Sequence, residues 1–307
     1  MAEITIVGGI NIDIEGCPFQ KLKSEDSNPG KISLAYGGVG RNIAENAARL
    51  GGEVAMVSVI GDDQMGHGAK AQLAELGVDV SHIEELAGRT SSMYLSILDE
   101  NHDMAVAISD MGIMEALTPQ KLADCADFLK ASRIVALDAN LDEDFLTYAC
   151  DLLAGTPLFF DPVSAKKAVR AKNLVGRFYS IKPNLMEAEV LSGIRITDEA
   201  DLKRAGDWFL AQGVKQLFIT LNKDGVYYKD QQKEGFIRPA EGLRIVSATG
   251  AGDSFSAAIL LGCVKNFDIE QIARMGMAAA SVAMESGQAV NSNMNLNELK
   301  RRMRENV

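Results

Sequence analysis

The chain has 307 residues, room for one large α/β domain or two small ones, and its 47% hydrophobic and 24% charged content is that of an ordinary globular protein. A formal net charge of −11, from 31 basic against 42 acidic residues, argues against a polyanionic partner such as DNA or RNA, yet leaves room for a small anionic cosubstrate held by local donors. No apolar run approaches a membrane span and Met1-Ala2-Glu3-Ile4 leads straight into a strand; with Cys17, Cys125, Cys150 and Cys263 unpaired and His67, His82 and His102 scattered, a reduced cytoplasmic protein is expected.

Residues Glu3 to Ile12 read as a buried strand closing on Asn11-Ile12-Asp13. Asn11 and Asp13 share one side of an extended chain, either as an Asx turn or as ligand contacts past a strand end. Gly16 to Tyr36 is polar and turn-rich, and far exceeds the roughly 2–6 residues of a strand-to-helix connection, which suggests a lid. In Gly37-Gly38-Val39-Gly40-Arg41-Asn42 the glycines permit close approach to a ligand. A helix from Val39 then carries Asn42 in its first turn and turns Ala44, Ala47, Ala48 and Gly51 to the sheet. A strand at Glu53 to Ile60 and a helix ending near Leu76-Gly77 follow. Thr90 to Asp99 and Met104 to Asp110 alternate as a hairpin about a polar tip. Segments of about 14–36 and 89–111 are expected to form one lid, whose apolar face is a natural homodimer surface.

From Thr118 the alternation is regular: helix 118–131, strand Arg133 to Leu137 ending in Asp138-Ala139-Asn140, helix 142–153, strand Pro157 to Phe160 ending in Asp161-Pro162-Val163. A basic helical stretch at Lys166 to Lys172 precedes strand Phe178 to Ile181. Lys182-Pro183-Asn184-Leu185-Met186-Glu187 then opens a helix, in which Asn184 and Glu187 either form a capping box or order the water shell of Mg²⁺. Helix 198–212 and strand Val214 to Leu221 lead through the turn Asn222 to Gly225 into Val226-Tyr227-Tyr228. Two small-residue and polar helices, Asp268 to Ser286 and Leu296 to Glu305, finish the chain. The pattern predicts an α/β fold in one domain over 1–307: a doubly wound, mostly parallel sheet with helices on both faces plus a small β lid.

Between an apolar run read as a strand, Leu243 to Val246, and a helix through Val264 lies Ser247-Ala248-Thr249-Gly250-Ala251-Gly252-Asp253. A glycine turn at a helix N-terminus leaves unpaired N–H groups and a positive dipole end aimed at one spot, an anion hole. Asp253 there is either a helix-capping charge or a base that takes the proton from a hydroxyl attacking a bound phosphate.

Taken together, the early Asn-x-Asp, the Gly-Gly-x-Gly-x-Asn helix start, Asn-x-x-Glu and the late Gly-Ala-Gly-Asp resemble the PfkB, or ribokinase-like, family of carbohydrate and nucleoside kinases over essentially the whole chain. That resemblance implies Asp253 as base, Gly250, Ala251 and Gly252 as anion hole, and Asn11, Asp13, Gly38, Asn42 and Asn140 as sugar contacts. It also implies ATP as cosubstrate beside Asn184, Thr220, Asn222 and Gly225, with Mg²⁺ linked to Glu187 through water. Asn222 stands where the nucleotide loop usually carries glycine, and Ser247 where relatives that bind a monovalent cation carry aspartate, so such a cation is left open and without support in the sequence. Ser27 to Lys31, Gly37 to Ala44, Thr90 to Leu95 and Asp161 to Ser164 resemble the branch of the family acting on pseudouridine. The expected reaction is phosphorylation of its 5′-hydroxyl. Another nucleoside or a sugar is the nearest alternative, and a non-catalytic sensor has no need of Asp253. Gly8-Gly9-Ile10-Asn11 does not fit the fingerprint of a dinucleotide-binding dehydrogenase.

Overall fold

The structure, a computed structural model, describes residues 2–240 and 242–305. Its strands and helices run β1 (Ile4–Val7), β2 (Asn11–Pro18), β3 (Gly30–Gly37), α1 (Val39–Arg49), β4 (Val54–Gly61), α2 (Gln64–Glu75), β5 (Asp79–Leu86), β6 (Met93–Leu98) and β7 (Met104–Asp110). They continue with α3 (Pro119–Asp124), α4 (Ala126–Lys130), β8 (Ile134–Asp138), α5 (Glu143–Leu152), β9 (Leu158–Asp161), α6 (Ala165–Ala168), β10 (Ser180–Ile181) and α7 (Leu185–Ser192). The last are α8 (Glu199–Gln212), β11 (Gln216–Thr220), β12 (Val226–Lys229), β13 (Glu234–Ile237), α9 (Ala251–Val264), α10 (Ile269–Met284) and α11 (Leu296–Glu305).

Nine strands form one sheet in the order β13-β12-β11-β10-β9-β8-β1-β4-β5, parallel except for the antiparallel edge β11-β12-β13. Both faces are covered, so the central strands read as unbroken apolar runs. Successive residues nevertheless serve different layers. Ile4, Ile6, Ile134, Ala136 and Phe159 pack with Ile43 of α1 and Phe255 of α9. Val7, Val135, Leu137 and Phe160 pack with Phe145 of α5, Ala188 of α7 and Phe209 of α8. The doubly wound α/β reading therefore holds. The small-residue helix α10 lies on α9, with Gly276 against the Phe255 ring, so its composition serves helix packing.

A second sheet has the order β3-β2-β6-β7, with β2 and β6 parallel and the outer pairs antiparallel. The segments expected to act together, 14–36 and 89–111, thus meet in one layer, and the hairpin pairs Met93 with Asp110. Ile32, Leu34, Met104, Val106 and Ile108 of this sheet are exposed.

Several boundaries differ from expectation. The run Glu3 to Ile12 is not one strand: β1 ends at Val7, and the chain crosses at Gly8-Gly9-Ile10 to start β2 at Asn11. Asn11 and Asp13 therefore open the second sheet and do not trail the first. Leu243 to Val246 is no strand; Ile245 and Val246 are exposed, and the sheet ends at β13, which was not foreseen. β5 was also missed, because its edge position leaves Asp79-Val80-Ser81-His82-Ile83-Glu84-Glu85 largely polar. The helix 118–131 breaks at Cys125 into α3 and α4, and the basic stretch after α6 continues as a 3-10 helix from Val169 to Arg177.

Candidate active site

Helix N-termini locate the site. Side chains cap α2 (Asp63), α5 (Asp142), α7 (Asn184), α8 (Asp198) and α10 (Asp268), and Asn295 accepts from Glu298 N–H at the start of α11. Among the described helices of eight residues or more, only α1 and α9 begin on glycine without a side-chain cap. Apart from Arg41 N–H, which donates to Gly9 O, and Ala251 N–H, which donates to Ala248 O, both at 3.3 Å, their first-turn N–H groups stay available to a ligand, and the dipoles favour an anion there. The two ends meet: Asn42 Nδ2, in the first turn of α1, donates to Asp253 Oδ2, in the first turn of α9, at 2.8 Å. Gly38 is obligatory at its position, since it takes φ 96 and a Cβ would stand 2.6 Å from Gly9 O. Its absence of side chain brings α1 against the crossing between the two sheets.

Below Asp253 lies a row of charges at the carboxyl ends of adjacent parallel strands. Asp138 ends β8, Asp161 ends β9 in register with it, and Lys182 follows β10. All three are buried. Lys182 Nζ stands 3.3 Å from Asp161 Oδ2, which also accepts from Ser256 Oγ at 2.7 Å. Burial disfavours the Lys182 charge, but Asp161, Glu187 and Asp253 outweigh it and raise its pKa. Burial, then repulsion from Asp161, pushes the Asp253 carboxyl up to about 7, against the opposing pull of Asn42 and Lys182. Asp138 rises to about 6, mainly through burial, and its Oδ2 has no partner. Asp138, Asp161 and Lys182 were read in the sequence at the ends of strands but given no role in the site. The signal was present, since each is the polar residue at or just past the C-terminal end of a buried strand.

The residues expected to hold a sugar converge on a cavity of about 610 Å³, whose lining includes Asn11, Gly38, Asn42 and Asn140. Asp13 does not line it. Instead it accepts from Asn11 Nδ2 at 2.5 Å, and burial raises its pKa. Lys167 donates to Asn140 Oδ1 at 2.5 Å, and Arg170 pins the carbonyls of Ala139 and Asn140 at 2.9 and 3.0 Å. Arg41, in the same helix start, is buried away from this cavity against Glu45, Gln72 and Tyr36 O.

Asn184 and Thr220 are bridged across their segments, and Leu221 N–H donates to Gly225 O at 2.8 Å. Asn222 takes a left-handed φ of 52, which asparagine adopts at less cost than other side chains, so the turn survives without the glycine. With Leu185, Leu221, Asp224 and Arg238 it lines a second cleft of about 860 Å³. Glu187 completes a capping box: Oε2 accepts from Asn184 N and Oε1 from Asn184 Nδ2, both at 2.8 Å. Both oxygens are engaged in this box. His67 lies with Asp62 and Glu85 in an exposed cluster, but Lys70 already holds Glu85 at 2.7 Å. All four cysteines are free, and among the described residues no helix is long and apolar enough to cross a membrane.

The pattern of the pfkB family of carbohydrate kinases matches residues 1–296. The pseudouridine kinase of Escherichia coli strain K12 is 36% identical over 92% of this chain and 90% of its own length. An uncharacterized sugar kinase of the same strain is also 36% identical, over 92% of this chain and 78% of its own. An Arabidopsis thaliana ribokinase solved with ribose and ATP superposes with a TM-score of 0.87 at 21% identity, covering 98% of each chain, which shows a common fold.

Proposed function

Because the chain belongs to the pfkB family of carbohydrate kinases, we propose that it transfers the γ-phosphoryl group of ATP to the 5′-hydroxyl of pseudouridine. The observation that carries the transfer reading is the Asn42–Asp253 bond, which sets a carboxylate between two uncapped helix ends. The acceptor hydroxyl sits in the cavity of Asn11, Gly38, Asn42 and Asn140, with Asp13 holding Asn11 in place. Asp253 takes the hydroxyl proton as the oxygen attacks phosphorus. The N–H groups of the turn Gly250-Ala251-Gly252-Asp253 receive the charge that develops on the transferred group. ATP occupies the side of Asn184, Thr220, Asn222 and Gly225.

Three carboxylates, Asp161, Glu187 and Asp253, surround the ammonium of Lys182, and Asp138 acts on Asp253 and Asp161 beside them, a set that suits a hydrated divalent cation. Mg²⁺ held through water by Glu187 would supply neutralisation of the triphosphate. The β2-β3-β6-β7 sheet acts as the lid, excluding water as a competing acceptor. Its exposed Ile32, Val106 and Ile108 form the surface of a homodimer.

ADP release from Mg-ATP with pseudouridine, uridine, ribose and fructose tests the reading. Turnover on pseudouridine well above the rest is expected; a preference for ribose or fructose would retain the chemistry and discard the acceptor, and no turnover on any would point to a sensor. The pH profile gives a second check. A base is active only when ionised, and burial with Asp161 holds this one at about 7. So kcat/KM should fall tenfold per pH unit below about 7 and level off above it. A flat profile between pH 5.5 and 8 would contradict the role of Asp253.

A further inference from the structure

The acceptor cavity contains polar groups that the transfer step does not use. Ser92 is 2% exposed and its hydroxyl has no partner, and the side-chain oxygen of Asn11 is buried and unpaired; both residues line the cavity. Buried polar atoms left unpaired in a protein point to a missing partner, and here a bound molecule would supply it. The start of α6 also reaches this cavity. Val163, held at φ 63 with its N–H on Asp161 Oδ1 at 3.0 Å, turns the chain away from the charge row, and Ser164 caps the helix. Lys167 is thereby placed half-buried on the cavity lining.

Among the described residues the one hydrogen-bond partner of Lys167 Nζ is Asn140 Oδ1, at 2.5 Å. A lysine ammonium has three donors and no acceptor, so the Asn140 amide must turn its oxygen to Lys167 and its nitrogen away. Arg170 is spent on the carbonyls of Ala139, Asn140 and Leu141 and fixes the backbone beneath. What remains is an edge of donors alone: two ammonium protons and the Asn140 Nδ2. Sugar hydroxyls both give and take hydrogen bonds and gain nothing special from such an edge. An oxygen that only accepts does. The lining adds the apolar Met111, Met114, Leu141 and Phe145 and the carboxylates of Glu115 and Asp142, which suits a neutral flat ring better than an open-chain carboxylate.

Resting on the kinase reading above, we infer that Lys167 and Asn140 bind a ring carbonyl of the acceptor's base, so that the enzyme selects an oxo-pyrimidine nucleoside over a free pentose. Lys167 is then a specificity-determining residue, acting on the part of the acceptor that does not react. Burial lowers the Lys167 pKa while Asp138 supports the charge. A hydrogen bond from a charged donor accounts for about a 10- to 100-fold preference.

The test compares wild type, Lys167→Met and Lys167→Arg. Turnover is followed on pseudouridine, ribose and 2-dehydro-3-deoxygluconate, and pseudouridine binding without nucleotide by calorimetry. The expected result is that Lys167→Met lowers the ratio of kcat/KM for pseudouridine over ribose at least tenfold and weakens calorimetric binding by a similar factor, with Lys167→Arg recovering part of both. A ratio left unchanged, or an equal fall on both acceptors, would overturn the inference by showing a merely structural lysine. Wild-type preference for the sugar acid or for ribose would overturn it as well. Wild-type binding of pseudouridine without turnover on any acceptor sinks the kinase reading instead, and the calorimetric effect of Lys167→Met then decides the inference alone.

Discussion

Asp253→Asn is expected to lower kcat by about 10³-fold, in the middle of the range for removing a positioned general base, while the protein folds and binds ATP as before. The replacement keeps the shape and retains an oxygen for Asn42 Nδ2, now bonded at 2.8 Å. It also removes a carboxyl that the fold holds uncomfortably, in a setting where burial and Asp161 raise its pKa from 3.8 to about 7. The sign of the stability effect follows. Between pH 4 and about 7 the folded carboxyl keeps a proton that the unfolded one releases, so stability falls as pH rises through that window. The asparagine variant lacks this decline. Its thermal midpoint should therefore match wild type near pH 4 and exceed it at pH 8. Lost turnover together with a gain in stability at pH 8 excludes damage to the fold as the cause. Wild-type-like turnover would remove Asp253 from the chemistry, and a lower midpoint at pH 8 would contradict the buried-charge account.

Much of this architecture was legible in the chain because local rules and the global fold agree. Glycine placed just before Val39 and Ala251, where the other described α-helices of eight residues or more carry Asp or Asn, marks both ends that meet at the site. Asn11, Gly38, Asn42 and Asn140 were drawn from three separate segments, and the topology brings all of them to one cavity. What was not legible depends on partners distant in sequence. β5 is polar because it lies at an edge, and β13 is a short strand paired only with β12. Ile245 and Val246 look like a strand by composition, yet α9 is reached from a surface turn. Asp138, Asp161 and Lys182 become a single electrostatic unit only when β8, β9 and β10 align in register, which periodicity along one strand does not disclose. Asn184 and Glu187 were open between a capping box and a metal shell. The structure shows the box, with both carboxylate oxygens engaged in it.

The second large effect is expected at Gly250, where conformation and space make the same demand. Its φ of 77 is left-handed, and an added Cβ would stand 1.7 Å from Ala289 O, far inside contact distance. Alanine there incurs the left-handed penalty and must also displace a backbone carbonyl, so Gly250→Ala should destabilise the protein by about 2–4 kcal/mol. The turn would shift with it, moving the N–H groups of α9 relative to Asp253, and misplacing one such donor lowers kcat by roughly 10²- to 10³-fold. Gly252→Ala, two residues on, is the steric contrast. A Cβ there meets nothing nearer than Lys182 Nζ at 3.6 Å and needs no unusual φ. Because alanine also restricts the unfolded chain, its stability should equal wild type or exceed it by up to about 1 kcal/mol. Urea denaturation of both variants separates the cases. Equal losses would mean that the turn is merely intolerant of bulk, whereas a large loss at Gly250 alone places the constraint on the left-handed residue that starts α9.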